Sequence, residues 1–362
     1  MGNNIVCFIN KTNGFANSLI SYFEMNFPQV AIDYYIIDRR KEENLEEKNN
    51  VHRILSYKEF VVNRKLKHQI KASDRIIISG VFTMQYVMLL FFRKYLSKTY
   101  FHFWGGDFYQ FRDGHSLKQK VEKIVDNCCL KRCKAIVLLL DSEKKTFLSL
   151  FPFTKNKEFA YAIVPNGKKD EEVLRKYRSL AMNRISDGVR RIIIGNSATK
   201  TNGHMEVFEL LHAINLENVE IICPLSYGDM DYQKKVIEKG REIFGDSFKP
   251  IIEYMSYDQY NKLLLSCDVG IYNNNRQQGL GNISAMTNMG KKVFIRKDTP
   301  MWESFKKYGY IMNDISELAS MSIEEIFDWP SSMIQENFNA IERKKNDVKE
   351  NWKKVLLGEK EF

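Results

Sequence analysis

Long apolar runs are missing from this 362-residue sequence: the longest, residues 86–92 and 135–140, fall far short of the about 20 residues a membrane-spanning helix needs. No span is therefore expected. The first ten residues carry no basic segment followed by an apolar one, so no cleaved secretory signal is expected either. Cysteine is scarce and unpatterned. Cys7, Cys128, Cys129, Cys133, Cys223 and Cys267 include no CxxC pair and have no histidine close by in sequence, which argues against a disulfide framework and against a metal site. With 7 Pro and 19 Gly the chain is too poor in both for a fibrous or low-complexity protein. Zinc-finger, KH and RNP signatures are absent, and the basic residues are dispersed, so nucleic acid is not an expected partner.

What is present describes a packed, globular chain. Apolar residues make up 44% and aromatics 13%, and the length exceeds what one hydrophobic core usually serves, so two domains are expected. The formal net charge of +10 draws the protein to anionic partners such as phosphate-bearing ligands or the negative cytoplasmic leaflet of a membrane.

Short β-branched or aromatic segments at 5–9, 31–37, 75–79, 100–104 and 135–140 read as buried strands. Helical spacing separates them at 15–27, 57–70, 82–96 and 117–133. This alternation predicts an α/β fold with a parallel, doubly wound sheet. The charged patch at 39–50 reads as a solvated loop or helix face. A polar segment at 168–190, with an Asp-Gly turn signal, marks a domain boundary. Strands resume at 191–194, 219–223, 249–252, 269–272 and 293–295. The expected domains are thus 1–185 and 186–330, both Rossmann-like, with closing helices over 331–362.

In the second domain Arg276-Gln277-Gln278-Gly279-Leu280-Gly281-Asn282 follows a strand and precedes an apolar helical run. Its glycines permit close backbone approach, and a helix N-terminus there would hold a diphosphate, with Arg276 adding charge. Gly195-Asn196-Ser197 directly follows another strand and invites the same reading. In the first domain His102-Phe103-Trp104-Gly105-Gly106-Asp107 closes a strand with a glycine pair and a carboxylate. Group transfer to a hydroxyl needs a base, for which Asp107 and His102 are candidates; the alternative is that Asp107 caps a helix and Trp104 packs in the core. Asp229-Met230-Asp231 matches a metal-diphosphate pattern, but a helix start rich in Asp is the plainer explanation, and no metal is expected. Leu117, Val121, Ile124, Val125 and Cys128 form an apolar stripe flanked by Lys118, Lys120, Lys123, Lys131, Arg132 and Lys134. With Phe91, Phe92, Arg93 and Lys94 it suits a helix lying on anionic lipid; the alternative is an ordinary amphipathic crossover helix with a solvated basic face.

These residues resemble glycosyltransferase family 56, the TDP-N-acetylfucosamine:lipid II N-acetylfucosaminyltransferases of enterobacterial common antigen assembly. The resemblance rests on His102-x-Trp104-Gly105-x-Asp107-x-Tyr109, Gly195-Asn196-Ser197, Pro224-x-x-Tyr227, Cys267-Asp268-x-Gly270, Arg276-Gln277-Gln278-Gly279-x-Gly281, and Trp302 after Pro300, in order over about residues 75–305. It implies a GT-B architecture, two Rossmann-like domains facing a cleft, and a dTDP-linked 4-acetamido-4,6-dideoxygalactose donor. It further implies a polyprenyl-diphosphate oligosaccharide acceptor, an inverting mechanism and no obligatory metal or other cofactor. Donor contacts would come from Gly195, Asn196, Ser197, Tyr227, Arg276, Gln277, Gln278, Gly279, Gly281 and Asn282, and catalysis from Asp107 and His102. The expected location is peripheral, on the cytoplasmic face of the bacterial inner membrane. Open alternatives are a GT-B relative with another nucleotide sugar or acceptor in O-antigen synthesis, a nucleotide-sugar 2-epimerase, or a non-catalytic membrane- or nucleic-acid-binding protein.

Overall fold

A computed structural model describes residues 4–10, 15–38, 48–114, 116–164, 168–183, 187–214, 216 and 218–358. Most of the charged patch (39–47) and part of the expected boundary (184–186) lie outside the described residues. The chain divides into two compact units, Met1–Glu171 with Lys345–Phe362, and Glu172–Lys344.

The first unit is built on seven parallel strands: β1 (Asn4–Asn10), β2 (Ala31–Ile37), β3 (Val51–Ile54), β4 (Arg75–Ser79), β5 (Thr99–His102), β6 (Ala135–Leu138) and β7 (Glu158–Tyr161). Their spatial order is β3-β2-β1-β4-β5-β6-β7. Helices on both faces bury alternate side chains of each strand in two cores. Val6 and Phe8 of β1 enter one with Ile76, Ile78 and Phe101. Ile5, Cys7 and Ile9 enter the other with Ile77 and Tyr100. Burial on both faces is why these strands read as unbroken apolar runs. The short edge strands β3 and β7 carry polar residues and gave no such signal.

The second unit repeats the plan with β8 (Arg190–Ile194), β9 (Val219–Pro224), β10 (Phe248–Ile251), β11 (Val269–Tyr272), β12 (Lys292–Ile295) and β13 (Asn313–Asp314). The order β10-β9-β8-β11-β12-β13 is that of a dinucleotide-binding sheet, with the chain reversing direction between β8 and β11.

Several boundaries differ from the sequence expectation for local reasons. The helix expected at 57–70 is two, Lys58–Val62 and Arg64–Ala72. Asn63 is extended at the break, and its Oδ1 accepts the Leu66 amide at 2.9 Å, capping the second helix. The stretch 82–96 is the helix Met84–Phe91 followed by a 3₁₀ turn, Arg93–Lys98. The polar segment begins with a helix, Lys168–Met182, and the division between units falls inside it, at Glu171 and Glu172, not at 185 and 186. Residues 331–357 form one helix, Ser331–Leu357, whose first part belongs to the second unit and whose last part returns to the first. Among the described residues no helix is long and apolar enough to cross a membrane.

That last helix completes the core of the first unit. Trp352 is fully buried, its ring edge-on to Phe23 at 4.7 Å and to His102 at 5.1 Å. Its Nε1 donates to the Ile163 carbonyl at 3.0 Å. Arg75 donates to the carbonyls of Leu356 and Leu357, both at 3.0 Å, closing the helix C-terminus. Trp352→Ala is expected to destabilise the first unit by about 3–5 kcal/mol, as large-to-small core changes do. Denaturant unfolding monitored in that unit checks this; a cost near that of a surface change would place the ring outside the core.

Candidate active site

In the second unit the loops after β8 and β11 leave the sheet where the strand order reverses, the position at which open α/β sheets bind ligands. Gly195 opens the first loop with a left-handed φ of 70°. A Cβ there would lie 2.7 Å from His204 Nε2, so no other residue fits without displacing the buried imidazole. Asn202 then folds the loop onto itself. Its Oδ1 accepts the Asn196 amide at 3.1 Å, and its Nδ2 donates to the Ser197 carbonyl at 3.0 Å and to Thr199 Oγ1 at 2.8 Å.

Gln278 ties the second loop to the first. Its Nε2 donates to Thr199 Oγ1 at 3.0 Å and to Ser197 Oγ at 3.2 Å, while its Oε1 accepts from the Thr201 hydroxyl at 2.6 Å. Gly279, with φ of 71°, turns the chain into the helix Leu280–Asn288, and a Cβ there would press to 3.3 Å on the amides of Asn196 and Asn274. No side chain caps that helix. Its first N–H groups and the positive end of its dipole therefore meet at an edge where Gly281 is exposed and bordered by open space.

The sequence candidates Gly195, Asn196, Ser197, Gln278, Gly279 and Gly281 thus lie in one cradle. Tyr227 adjoins it from the loop after β9, its hydroxyl accepting from Asn196 Nδ2 at 2.8 Å. Asn282 faces Tyr260, donating to its hydroxyl at 2.8 Å. Arg276, half-buried, donates to the Gln277 carbonyl at 3.2 Å, and the Gln277 side chain is buried. Asn202, Thr199, Thr201 and Tyr260 escaped the sequence reading; of these only the Asn202-Gly203 pair carries a turn signal. Asp229 caps the helix Met230–Phe244, its Oδ1 accepting the amides of Asp231 and Tyr232 at 2.9 and 3.0 Å. Those amide bonds hold its carboxyl below the usual range. Among the described residues no cluster of His, Cys, Asp or Glu is arranged to hold a metal ion.

In the first unit the two catalytic candidates prove to be engaged inside the protein. His102 is fully buried at the end of β5. Its Nε2 lies 2.8 Å from the Ala162 carbonyl and its Nδ1 2.9 Å from Ser79 Oγ, which also accepts Trp104 Nε1–H at 3.1 Å. This chain assigns the neutral ring with its proton on Nε2. Burial lowers its pKa to about 4, and neither nitrogen is left for an acceptor hydroxyl. Asp107 is only 2% exposed. Its Oδ1 accepts the Trp104 amide at 2.9 Å and its Oδ2 the Val81 amide at 3.1 Å, so one carboxylate clamps the loops after β4 and β5. Burial raises its pKa to about 6 against the pull of these amides. The polar atoms of both residues are thus engaged by the protein's own backbone and side chains.

The residues expected to meet lipid lie mostly on the surface of the first unit. Phe91, Leu117, Val121 and Ile124 are exposed and Val125 and Cys128 half-buried, whereas Phe92 is buried in the core because it follows the last turn of its helix and points inward; Leu90, beside Phe91, is exposed as well.

Against known proteins, a family model described as 4-alpha-L-fucosyltransferase, glycosyl transferase group 56, matches residues 15–358. Among solved structures, a UDP-forming trehalose-phosphate synthase from Burkholderia xenovorans superposes with a TM-score of 0.71 at 11% identity, covering 99% of this chain and 98% of that one. A sucrose-phosphate synthase from Thermosynechococcus elongatus gives 0.68 at 13% identity over 98% and 97%. The N-terminal domain of a Candida albicans trehalose-6-phosphate phosphatase gives 0.67 at 12% over 99% and 96%. At such identities the likeness establishes the fold, that of GT-B glycosyltransferases. The family match spans nearly the whole chain, and the chain therefore belongs to glycosyl transferase group 56: it is a glycosyltransferase.

Proposed function

We propose that the enzyme transfers a deoxyamino sugar, 4-acetamido-4,6-dideoxygalactose, from a dTDP donor to a polyprenyl-diphosphate-linked oligosaccharide during bacterial surface polysaccharide synthesis. The product would be enterobacterial common antigen or an O-antigen. The observation that carries the donor half is the cradle at the switch point of the second unit: two glycine turns, a knot of side-chain amides and an uncapped helix N-terminus. Such a site offers N–H groups to a diphosphate and stabilises the charge that grows on it as the sugar leaves. Asp229 serves its own helix, so neutralisation falls to backbone amides, the helix dipole, Arg276 and the exposed Lys200, without an obligatory metal. The motif blocks shared with the family support the dTDP-sugar, the lipid-linked acceptor and the inverting course.

Gly281→Asp tests the donor half. A carboxylate in the first turn suits the helix dipole, so the fold is expected to hold. The same charge opposes a diphosphate, and dTDP affinity is expected to fall more than tenfold. Thermal stabilisation by dTDP reads this, since ligand at 100 times its dissociation constant adds about 2.7 kcal/mol. Undiminished stabilisation in the variant would remove the diphosphate from this site.

On the acceptor half, Asp107 acts as a positioning residue that holds the loops after β4 and β5. Asp107→Asn puts an N–H donor against backbone N–H groups and is expected to cost about 1–3 kcal/mol of stability together with turnover. Lost turnover at unchanged stability would restore a direct catalytic role.

The enzyme works on the cytoplasmic face of the inner membrane through the face bearing Leu90, Phe91, Leu117, Val121 and Ile124, with Arg93, Lys94, Lys118, Lys120 and Lys131 exposed nearby. Each basic residue near an anionic surface contributes about 1 kcal/mol. In co-sedimentation with phosphatidylserine-containing vesicles, the double change Leu117→Glu with Ile124→Glu is expected to weaken binding more than tenfold. Equal binding by the variant would move the contact elsewhere.

A further inference from the structure

The amino edge of the first unit's sheet, opposite the edge that carries the loops of His102 and Asp107, holds a cavity of its own. The parallel strands β1, β2 and β3 begin side by side there, at Asn4, Ala31 and Val51. The helix Phe15–Asn26 ends beside them, and Pro28, which has no amide with which to continue it, sends the chain back into β2. Two bonds close that turn, the Phe27 amide to the Phe23 carbonyl at 2.8 Å and the Val30 amide to the Phe27 carbonyl at 3.0 Å. Between the turn and the strand starts lies a cleft of about 430 Å³, a volume within the range of small-molecule sites.

One wall is aromatic: Phe23 and Phe27, both buried, stand edge-on to each other at 6.4 Å. The polar lining is less ordinary. Tyr34 is only 1% exposed, yet its hydroxyl has no hydrogen-bond partner among the described residues. Burial first, then the neighbouring Cys7 and Glu24, push its phenol well above the usual range, so it stays protonated. In a chain of net charge +10, the charged residues among the described lining are Glu24 and Asp33, both acidic. Lys48 takes one oxygen of Glu24, at 2.6 Å, and leaves the other. His52 Nε2 lies 3.7 Å from Asp33, but burial holds its pKa below the ordinary range, so at neutral pH it leaves the Asp33 charge in place. Asn50 spends its Nδ2 on the Ile32 carbonyl at 3.0 Å and keeps its Oδ1 as an acceptor. Carboxylate and hydroxyl oxygens beside an aromatic wall suit a cation with an apolar body, since both the oxygens and the ring faces attract positive charge.

We propose that this cleft is a second ligand site, which takes a small organic ammonium ion: the ammonium bonded by the Glu24 carboxylate and the Tyr34 hydroxyl oxygen, and the apolar body against Phe23 and Phe27. The proposal is independent of the donor reading. Nothing in the site belongs to the cradle of the second unit or to the loops after β4 and β5.

Isothermal titration of the full chain with three probes of one shape tests it: 2-phenylethylammonium, neutral 2-phenylethanol and anionic 3-phenylpropionate. The ammonium is expected to bind, the alcohol at least tenfold more weakly and the carboxylate not at all. Glu24→Gln keeps the shape and removes the charge, and should weaken the ammonium about tenfold, the weight of one hydrogen bond to a charged group. Tyr34→Phe should weaken it severalfold. Ala31→Trp, at the exposed mouth of the cleft, should abolish binding, and dTDP binding should be unchanged in all three variants. Absence of ammonium binding overturns the proposal. Equal binding of the alcohol or the carboxylate also overturns it, since the site would then not select a cation. Wild-type ammonium affinity in Ala31→Trp, or in both Glu24→Gln and Tyr34→Phe, would place the probe elsewhere and overturn it as well.

Discussion

The parallel strands β8 and β11 end at the same edge of the second unit's sheet, and the loops that follow them are held together there by side-chain amides. Asn202 replaces the backbone partners that the first loop loses on leaving β8, and Gln278 binds the second loop to the hydroxyls that Asn202 has gathered. Buried polar groups stabilise a single arrangement only when nearly all are satisfied, so the knot is rigid where it is complete. The glycines follow from it. Gly195 and Gly279 are the points where the backbone comes closest to these amides, and a side chain at either would push them apart. The helix Leu280–Asn288 owes its open N-terminus to the same arrangement, since Gly279 has no side chain with which to cap it.

The first unit meets the equivalent problem with charge and aromatic rings. Asp107 gathers amides from two loops, while His102, Ser79 and Trp104 form a hydrogen-bonded chain that ends on the Ala162 carbonyl beyond β7. Both units thus use side chains to complete the backbone hydrogen bonding of their carboxyl edges. In both, a helix then starts on a glycine with no side-chain cap, Gly106–Asp113 in the first unit and Leu280–Asn288 in the second.

Central strands were legible because burial on both faces forces an apolar residue at nearly every position, as in the run Ile76-Ile77-Ile78. Edge strands such as Val51–Ile54 lack that pressure. Glycine after a strand marked both cradle loops, since few other residues tolerate those turns. The amide knot was not legible: Asn202, Thr199 and Thr201 are ordinary loop residues until the fold brings Gln278 to them. His102 and Asp107 were legible only as candidates. A histidine and a carboxylate around a glycine pair look alike whether they serve a reaction or a backbone, and what separates the cases is whether their polar atoms already have partners.

The helix Ser331–Leu357 has a consequence for the order of events on the ribosome. Residues up to 171 emerge before the second unit, yet their core lacks Trp352, Val355 and Leu356 until that unit has been made. The second unit is a continuous segment, 172–344, and can close while synthesis continues. Domains generally fold from the N-terminus onward as they emerge. Here the sequence of completion is inverted: the unit made first must wait with an unfilled slot beside Phe23 and His102. A chain cut short before Trp352 leaves that slot permanently vacant, and the apolar surface of Phe23 beside it stays open to water.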